Sequence, residues 1–162
     1  MKRVLWIALV MLLVCAVSLA ESGTPDSWAQ TTAQGLMDTL GLQLGLPDGA
    51  TNVNWQMLEA EQLGEVQFTW QAVDCCARVA PTDDFEDISG LHRDWQARES
   101  CTVGRCEGIC LRAEGEAGAT ELCLWFDDRT GLMYALCAVA DELDGFDMLA
   151  AANILYIPMQ TE

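Results

Sequence analysis

The stretch Glu121-Leu-Cys-Leu-Trp-Phe-Asp-Asp-Arg-Thr-Gly-Leu-Met-Tyr-Ala-Leu-Cys-Ala-Val139 carries the clearest hairpin signal in the sequence. Two apolar runs, 121–126 and 132–139, flank a polar turn that ends in Gly131. This arrangement predicts two antiparallel strands. Alternate residues of the first strand are apolar on both faces, with Cys123 on one face and Leu124 on the other. Because such a strand needs cover on both sides, we expect other elements above and below this hairpin.

The rest of the chain predicts further strands between two helices. Apolar and polar residues alternate over 53–57 and 66–70, a third strand is expected over 74–79, and two short strands flank Gly104-Arg105. A helix capped by Asp26 or Ser27 is expected to end at Gly41. A last helix is expected to start near Asp141 or Asp144 and to end at Pro158. We expect its buried stripe to be Phe146, Leu149, Ala150, Asn153, Ile154 and Ile157. The predicted fold class is α+β, an antiparallel sheet of about six or seven strands with N-terminal and C-terminal helices packed on it.

Residues 1–20 follow the pattern of a secretory signal peptide. Basic residues at positions 2 and 3 precede a 14-residue apolar run over 4–17, which is shorter than the ~20 residues of a membrane-spanning helix. Ser18 and Ala20 are small, so we expect cleavage after Ala20. The mature chain, 21–162, is then a single domain that is secreted or lies in the cell envelope. An uncleaved leader that anchors the chain is the alternative, whereas a lipid anchor at Cys15 is disfavoured by the branched Val14.

The composition is strongly acidic and yet rich in apolar residues. The 162 residues hold 25 acidic and 8 basic side chains, a formal net charge of −17, and two of the basic residues lie in the predicted leader. Nucleic acids are excluded as partners, because they are bound through Lys and Arg. Direct binding to anionic membranes is excluded in the same way, unless a divalent cation bridges the two surfaces. The hydrophobic fraction of 51% argues against disorder, so the charge indicates a solvated acidic surface.

Seven cysteines remain after the predicted leader. In an oxidising compartment they are candidates for disulfide bonds, with at least one left over. If Phe126 and Leu132 flank the hairpin turn, Cys123 and Cys137 share a face and can bridge, which stabilises the domain by ~3 kcal/mol. Adjacent Cys75 and Cys76 face opposite ways and need different partners. Buried thiols that act as small apolar side chains are the alternative. The other three candidates pair among themselves or with these: Cys101, Cys106 and Cys110.

Metal and catalytic motifs are not predicted. The spacing of Cys101, Cys106 and Cys110 lacks the Cys-x-x-Cys knuckle that zinc sites favour, and the acidic loop 83–87 lacks the alternation of a calcium loop. The single histidine, His92, has no local partner for nucleophilic catalysis. We therefore expect no metal, cofactor or catalytic residue.

One mixed polar and aromatic group is a candidate ligand site. Trp95 lies in a polar stretch, and with Arg78, Asp87 and His92 it is expected to line a small site at one edge of the sheet. Trp55 and Trp70 are interpreted as core residues, with a stacking platform for a sugar or peptide as the alternative.

The segment Glu86-Asp87-Ile88-Ser89-Gly90 is the most specific of several segments that together cover most of residues 50–160. Through these segments the sequence resembles a family of small, uncharacterised secreted or envelope proteins of Gram-positive, clostridial-type bacteria. The chain departs from the family pattern at Cys75, Cys76 and Ala77. The resemblance implies a fold and a location and transfers no catalytic residue. Its other segments are 65–70, Arg78, 80–82, Phe85, Leu91, Trp95, 102–104, 125–127, 131–134 and 157–158.

These observations favour a secreted or envelope domain that acts as a non-catalytic binding or accessory module for a small ligand or a protein. A small secreted hydrolase is one alternative. An envelope-sensing accessory protein that contacts its partner through a sheet edge is the other.

Export is testable on the intact chain. We expect the secreted protein to have the mass of residues 21–162, less two hydrogens for each disulfide, when it is compared with and without reduction and alkylation. A retained leader, or seven freely alkylated thiols in the secreted protein, would contradict the location and the disulfide prediction together.

Overall fold

The fold is an eight-stranded antiparallel sheet with two short helices. The computed structural model describes residues 27–115 and 118–158. The predicted leader and its cleavage point lie outside these residues, as does Asp26. The strands are β1 Ala29–Thr31, β2 Thr51–Leu58, β3 Leu63–Trp70, β4 Val73–Pro81, β5 Ala97–Val103, β6 Cys106–Gly115, β7 Gly118–Asp127 and β8 Leu132–Ala140. The helices are α1 Ala33–Leu40 and α2 Met148–Leu155. No helix in the described ranges is long and apolar enough to cross a membrane.

The strand order is β1-β2-β3-β4-β8-β7-β6-β5, so that two meanders meet where β4 pairs with β8. The sheet-rich α+β prediction is confirmed, with eight strands in place of six or seven. The short β1 had no alternating pattern long enough to predict it. The strands beside Gly104-Arg105 are longer than expected, since β6 alone has 10 residues.

The two faces of the sheet are covered by different elements. The helical face carries Val66, Leu136 and Trp125 and packs against α1, residues 42–46 and α2. The loop face carries Leu122, Leu124 and Met133 and packs against the irregular connection between β4 and β5. Strand β7 is therefore covered on both sides, as its two apolar faces predict.

The first helix begins later than the sequence predicts. Thr32, and neither Asp26 nor Ser27, is the N-cap, and its hydroxyl accepts the amide of Gly35. The residues before Thr32 form strand β1, which pairs with β2 and places Ala29 opposite Met57. The predicted end at Gly41 is confirmed, with a left-handed φ of 70°.

The last helix buries a different face from the one expected. It begins at Met148 with Asp147 as N-cap. The predicted stripe is wrong, since Leu149 and Ile154 are 38% and 42% exposed. The residues that face the sheet are Met148, Ala151, Ala152 and Leu155. Small side chains in the middle of this set let the helix lie close to the structure beneath it. A Cβ on Gly45 would lie 2.1 Å from the carbonyl oxygen of Ile154.

A buried carboxylate connects the end of α2 to two hairpins. Asp127, at the end of β7, accepts hydrogen bonds from the Tyr156 hydroxyl at 2.8 Å and from Arg105 at 3.1 Å. Burial alone would raise the pKa of Asp127, but these bonds and that of the Arg129 amide lower it on balance. Tyr156 also packs edge-on against Tyr134, which stacks on Trp125.

The position of α2 predicts opposite results for two neighbouring substitutions. Leu155→Ala is expected to lower the free energy of unfolding by about 2–5 kcal/mol, because the side chain is fully buried. Ile154→Ala, on the exposed face, should change it by no more than about 0.5 kcal/mol. Chemical denaturation of both variants measures the difference. If Ile154→Ala lowered the free energy of unfolding more than Leu155→Ala does, the face predicted from the sequence would be the buried one.

Candidate functional site

Three cysteine thiols converge on the helical face in the outer half of the sheet. Cys101, Cys110 and Cys123 come from the adjacent strands β5, β6 and β7. The Sγ of Cys123 lies 3.5 Å from that of Cys110 and 3.8 Å from that of Cys101. All three sulfur atoms are within 4.8 Å of one another. We call these three residues the thiol cluster.

Strand register and one glycine explain the thiol cluster. Cys110 and Cys123 are directly opposite each other in the β6–β7 pair. Cys101 lies opposite Gly108 in the β5–β6 pair. A Cβ at Gly108 would lie 3.1 Å from the Cys101 sulfur. Because Gly108 has no side chain, the Cys101 thiol can reach across β6 towards Cys123.

The three thiols have different environments. Cys123 is fully buried, whereas Cys101 and Cys110 are partly exposed. As a thiolate, Cys110 accepts hydrogen bonds from Cys123 and Cys101, which lower its pKa to about 7 despite its burial. Burial raises the pKa of Cys101 to about 11. The hydrogen bond with Cys110 and burial both raise the pKa of Cys123. The hydrogen bonds within the cluster therefore favour deprotonation of Cys110 before that of Cys101 and Cys123.

Charged side chains border the thiol cluster on one side. Glu99 of β5 is exposed and directly opposite Cys110. In the next row, Arg112 forms ion pairs with Glu121 at 3.1 Å, with Glu114 at 3.0 Å and with Asp144 at 3.3 Å. Glu99 and Glu121 both lie close enough to raise the pKa of Cys110. Arg112 forms an ion pair with Glu121, which leaves Glu99 as the candidate for an additional oxygen ligand.

The arrangement supports two kinds of thiol chemistry. Deprotonated thiols are soft ligands that bind Zn²⁺ and Cu⁺. Two adjacent thiols can also lose two electrons and two protons to form a disulfide. The single histidine is not available for a Cys–His pair here, because His92 is exposed in the connection that covers the opposite, loop face.

The predicted pairing of Cys123 with Cys137 is wrong. Asp127 pairs with Leu132, so Cys137 lies opposite Leu122 and faces the other side of the sheet from Cys123. The turn holds this register because the Asp127 carbonyl accepts the amides of both Thr130 and Gly131. A one-residue change in register moves every side chain to the opposite face.

The remaining cysteines are separate from the thiol cluster. Cys75 is 1% exposed in the core of the helical face, and burial raises its pKa to about 12. Its neighbour Cys76 lies on the loop face directly opposite Cys137, so the predicted opposite orientations are seen. Cys106 is buried, and burial raises its pKa. Among the described residues no two cysteines are at disulfide-bonding distance.

Arg78 and Asp87 of the proposed ligand site hold the loop that follows β4. The Arg78 Nε lies 2.6 Å from the fully buried carboxylate of Glu65, and its Nη1 donates to the carbonyls of Ile88 and Ser89. The Asp87 carboxylate accepts the amide of Ser89 at 2.8 Å. These contacts fix the segment 87–90 on the loop face.

The other two predicted ligand-site residues are in different surroundings. Trp95 packs against the apolar cluster of the loop face. His92 is exposed beside a shallow depression lined by residues 91–94. Trp55 and Trp70 both pack against the core of the helical face, which supports their interpretation as core residues.

Sequence reasoning missed Gly108 and the convergence of the three thiols. A tight turn at Gly104-Arg105 already implies that Cys101 lies opposite Gly108 and shares a face with Cys110. Adding Cys123 requires knowing that β7 lies next to β6 and in which register. Residue spacing along the chain does not supply that information.

Comparisons with known proteins do not identify a relative. No family model matches the chain, and no curated protein and no solved structure is significantly similar to it.

The contacts of Arg78 predict a structural effect. Arg78→Ala is expected to lower the free energy of unfolding by about 3–5 kcal/mol, because it leaves the buried Glu65 carboxylate without its cation. Arg93→Ala makes the same change at an exposed position of the adjoining connection and should cost no more than about 0.5 kcal/mol. Denaturation curves of the two variants decide the matter, and equal stabilities would refute the structural role.

Proposed function

We propose that this protein is an exported, non-catalytic binding module whose thiol cluster binds one thiophilic metal ion, with Zn²⁺ as the reference ion. The observation that carries the proposal is the approach of Cys101, Cys110 and Cys123 to within 4.8 Å of one another. Cys75, by contrast, is a buried thiol of the core outside this cluster. The export part of the proposal rests on the sequence of residues 1–20.

The spacing of the sulfur atoms fits a tetrahedral ion. Zinc–sulfur bonds of about 2.3 Å at tetrahedral angles place bound sulfurs about 3.8 Å apart. The Cys101–Cys123 and Cys110–Cys123 separations are 3.8 and 3.5 Å. Two of the three separations thus match those around a bound ion, and the third is no more than 4.8 Å. Neighbouring strands keep the site preorganised.

Protonation and a fourth ligand complete the site. Metal binding requires thiolates and releases their protons. The depressed pKa of Cys110 supplies the first thiolate near neutral pH. Three thiolates leave one position of a tetrahedron for water or for the carboxylate of Glu99, which is opposite Cys110. Binding is favoured over hydrolysis because these thiols converge on one another and not on a general base.

Zinc titration of the reduced, metal-free protein tests the proposal. We expect one equivalent to bind, with release of protons, when a chromogenic chelator competes for the ion. Cys101→Ser and Cys110→Ser should each weaken binding by about 100-fold or more, since each removes a ligand. Cys75→Ala, which removes a thiol outside the cluster, should leave the stoichiometry and affinity unchanged.

Two further measurements sharpen this test. Zinc at about 100 times its dissociation constant should stabilise the wild-type protein against unfolding by about 2.7 kcal/mol. Glu99→Gln should reduce the affinity if the carboxylate is the fourth ligand and leave it unchanged if water is. Absence of chelator-competitive binding, or undiminished binding by Cys110→Ser, would refute the metal site.

A further inference from the structure

Cys110 and Cys123 are placed for a direct bond between their sulfurs. They are opposite each other in an antiparallel pair, with their sulfurs 3.5 Å apart. Directly opposed residues in such pairs have Cα atoms about 4.5 or 5.5 Å apart. Both distances lie within the range of about 4.4–6.8 Å that a disulfide spans. Rotation of the two side chains is sufficient to form the bond.

Cys101 is less well placed for a disulfide with either Cys123 or Cys110. Strand β6 separates it from Cys123, so the two backbones are about 10 Å apart, beyond the reach of a disulfide. Its position relative to Cys110 is diagonal, with Cα atoms about 7–8 Å apart, outside the usual range. The register therefore selects one pair of the three thiols.

The exposure of the selected pair is unequal. Cys110 is partly exposed on β6, one strand from the open edge formed by β5, whereas Cys123 is fully buried. A small disulfide in solution can reach Cys110 first. The buried Cys123 is then close enough to displace the small thiol. A disulfide with an exposed sulfur exchanges more readily with thiols in solution than a buried one does.

We propose that Cys110 and Cys123 are a reversible redox dithiol that exchanges with low-molecular-weight disulfides, with Cys110 as the attacking and Cys123 as the resolving residue. The Cys110 thiolate attacks one sulfur of the small disulfide, forms a mixed disulfide and releases one small thiolate. The Cys123 sulfur attacks the Cys110 sulfur, which forms the intramolecular disulfide and releases the second small thiol, and that thiol carries away the proton of Cys123. The protein loses two electrons, and the small disulfide gains them.

Oxidation of this pair also controls the metal site, a consequence that rests on the proposed zinc binding. The disulfide removes two of the three sulfur ligands and leaves only Cys101. A bound ion must therefore leave when the pair is oxidised and can return after reduction. The dithiol itself depends only on the register and the distance between the two sulfurs.

Exchange with glutathione disulfide tests the dithiol. The reduced, metal-free full chain is incubated with defined ratios of glutathione and glutathione disulfide, quenched with acid, alkylated and mapped by mass spectrometry. We expect a Cys110–Cys123 link that disappears when reduced glutathione is returned. Cys123→Ser should instead accumulate a single glutathionyl adduct on Cys110, and Cys110→Ser should form no link to Cys123.

Cys101→Ser is the matched control, because it removes a thiol of the cluster and keeps the pair. It should still form the link. A Cys123→Ala variant replaces Cys123→Ser if the buried hydroxyl lowers the melting temperature. Absence of the link in the wild-type protein, a link that uses Cys101, or a first adduct on another cysteine would refute the proposal.

The two proposals fail separately. Zinc binding to the reduced protein without a Cys110–Cys123 link refutes the redox dithiol alone. A reversible link in a protein that binds no zinc refutes the metal site alone. Zinc that stays bound after the link has formed refutes the control of binding by oxidation.

Discussion

Strand β8 is the constraint on which the rest of the fold depends. Seven of its nine residues are buried, and it lies between β4 and β7, where the two meanders meet. Residues such as Leu136 face the helices, and residues such as Met133 face the connection on the other side. Because a strand that is apolar on both faces must be covered twice, the protein needs a layer on each side of its sheet. The small helices provide one layer, and an irregular segment provides the other.

The irregular layer is held by charge as well as by apolar contact. The chain leaves β4 in the middle of the sheet and enters β5 at its edge, so residues 82–96 cross the loop face. Arg78 joins this segment to Glu65, whose side chain also accepts hydrogen bonds from Gln67 and Gln56. Burying a carboxylate is unfavourable unless its bonding is complete. Gly90 belongs to the same unit, since a Cβ there would lie 2.7 Å from an Arg78 nitrogen. Arg78 therefore links the buried Glu65 carboxylate to the carbonyls of Ile88 and Ser89.

Local patterns predicted most strands and turns, and the failures have physical causes. Alternation identified β2 and β3, turn residues identified the later hairpins, and the end of α1 followed from Gly41. Helix α2 is apolar almost all round, so the pattern of hydrophobic residues did not reveal which face is buried. Close approach to Gly45 selects the face with alanines. The pairing of Cys123 was mispredicted because a change of one residue in the turn moves the side chains of the following strand to the opposite face. The thiol cluster depends on three strands at once, and spacing along the chain does not contain that information.

The position of β8 at the end of the strand sequence also affects how the protein is made. Among the described residues, β8 is the element that joins strands β1–β4 to strands β5–β7. On the ribosome, both groups emerge before the strand that connects them. Until then each group has an unpaired strand edge towards the other, and such edges are prone to wrong pairings. In this sheet, both strand groups keep an open edge until β8 has emerged.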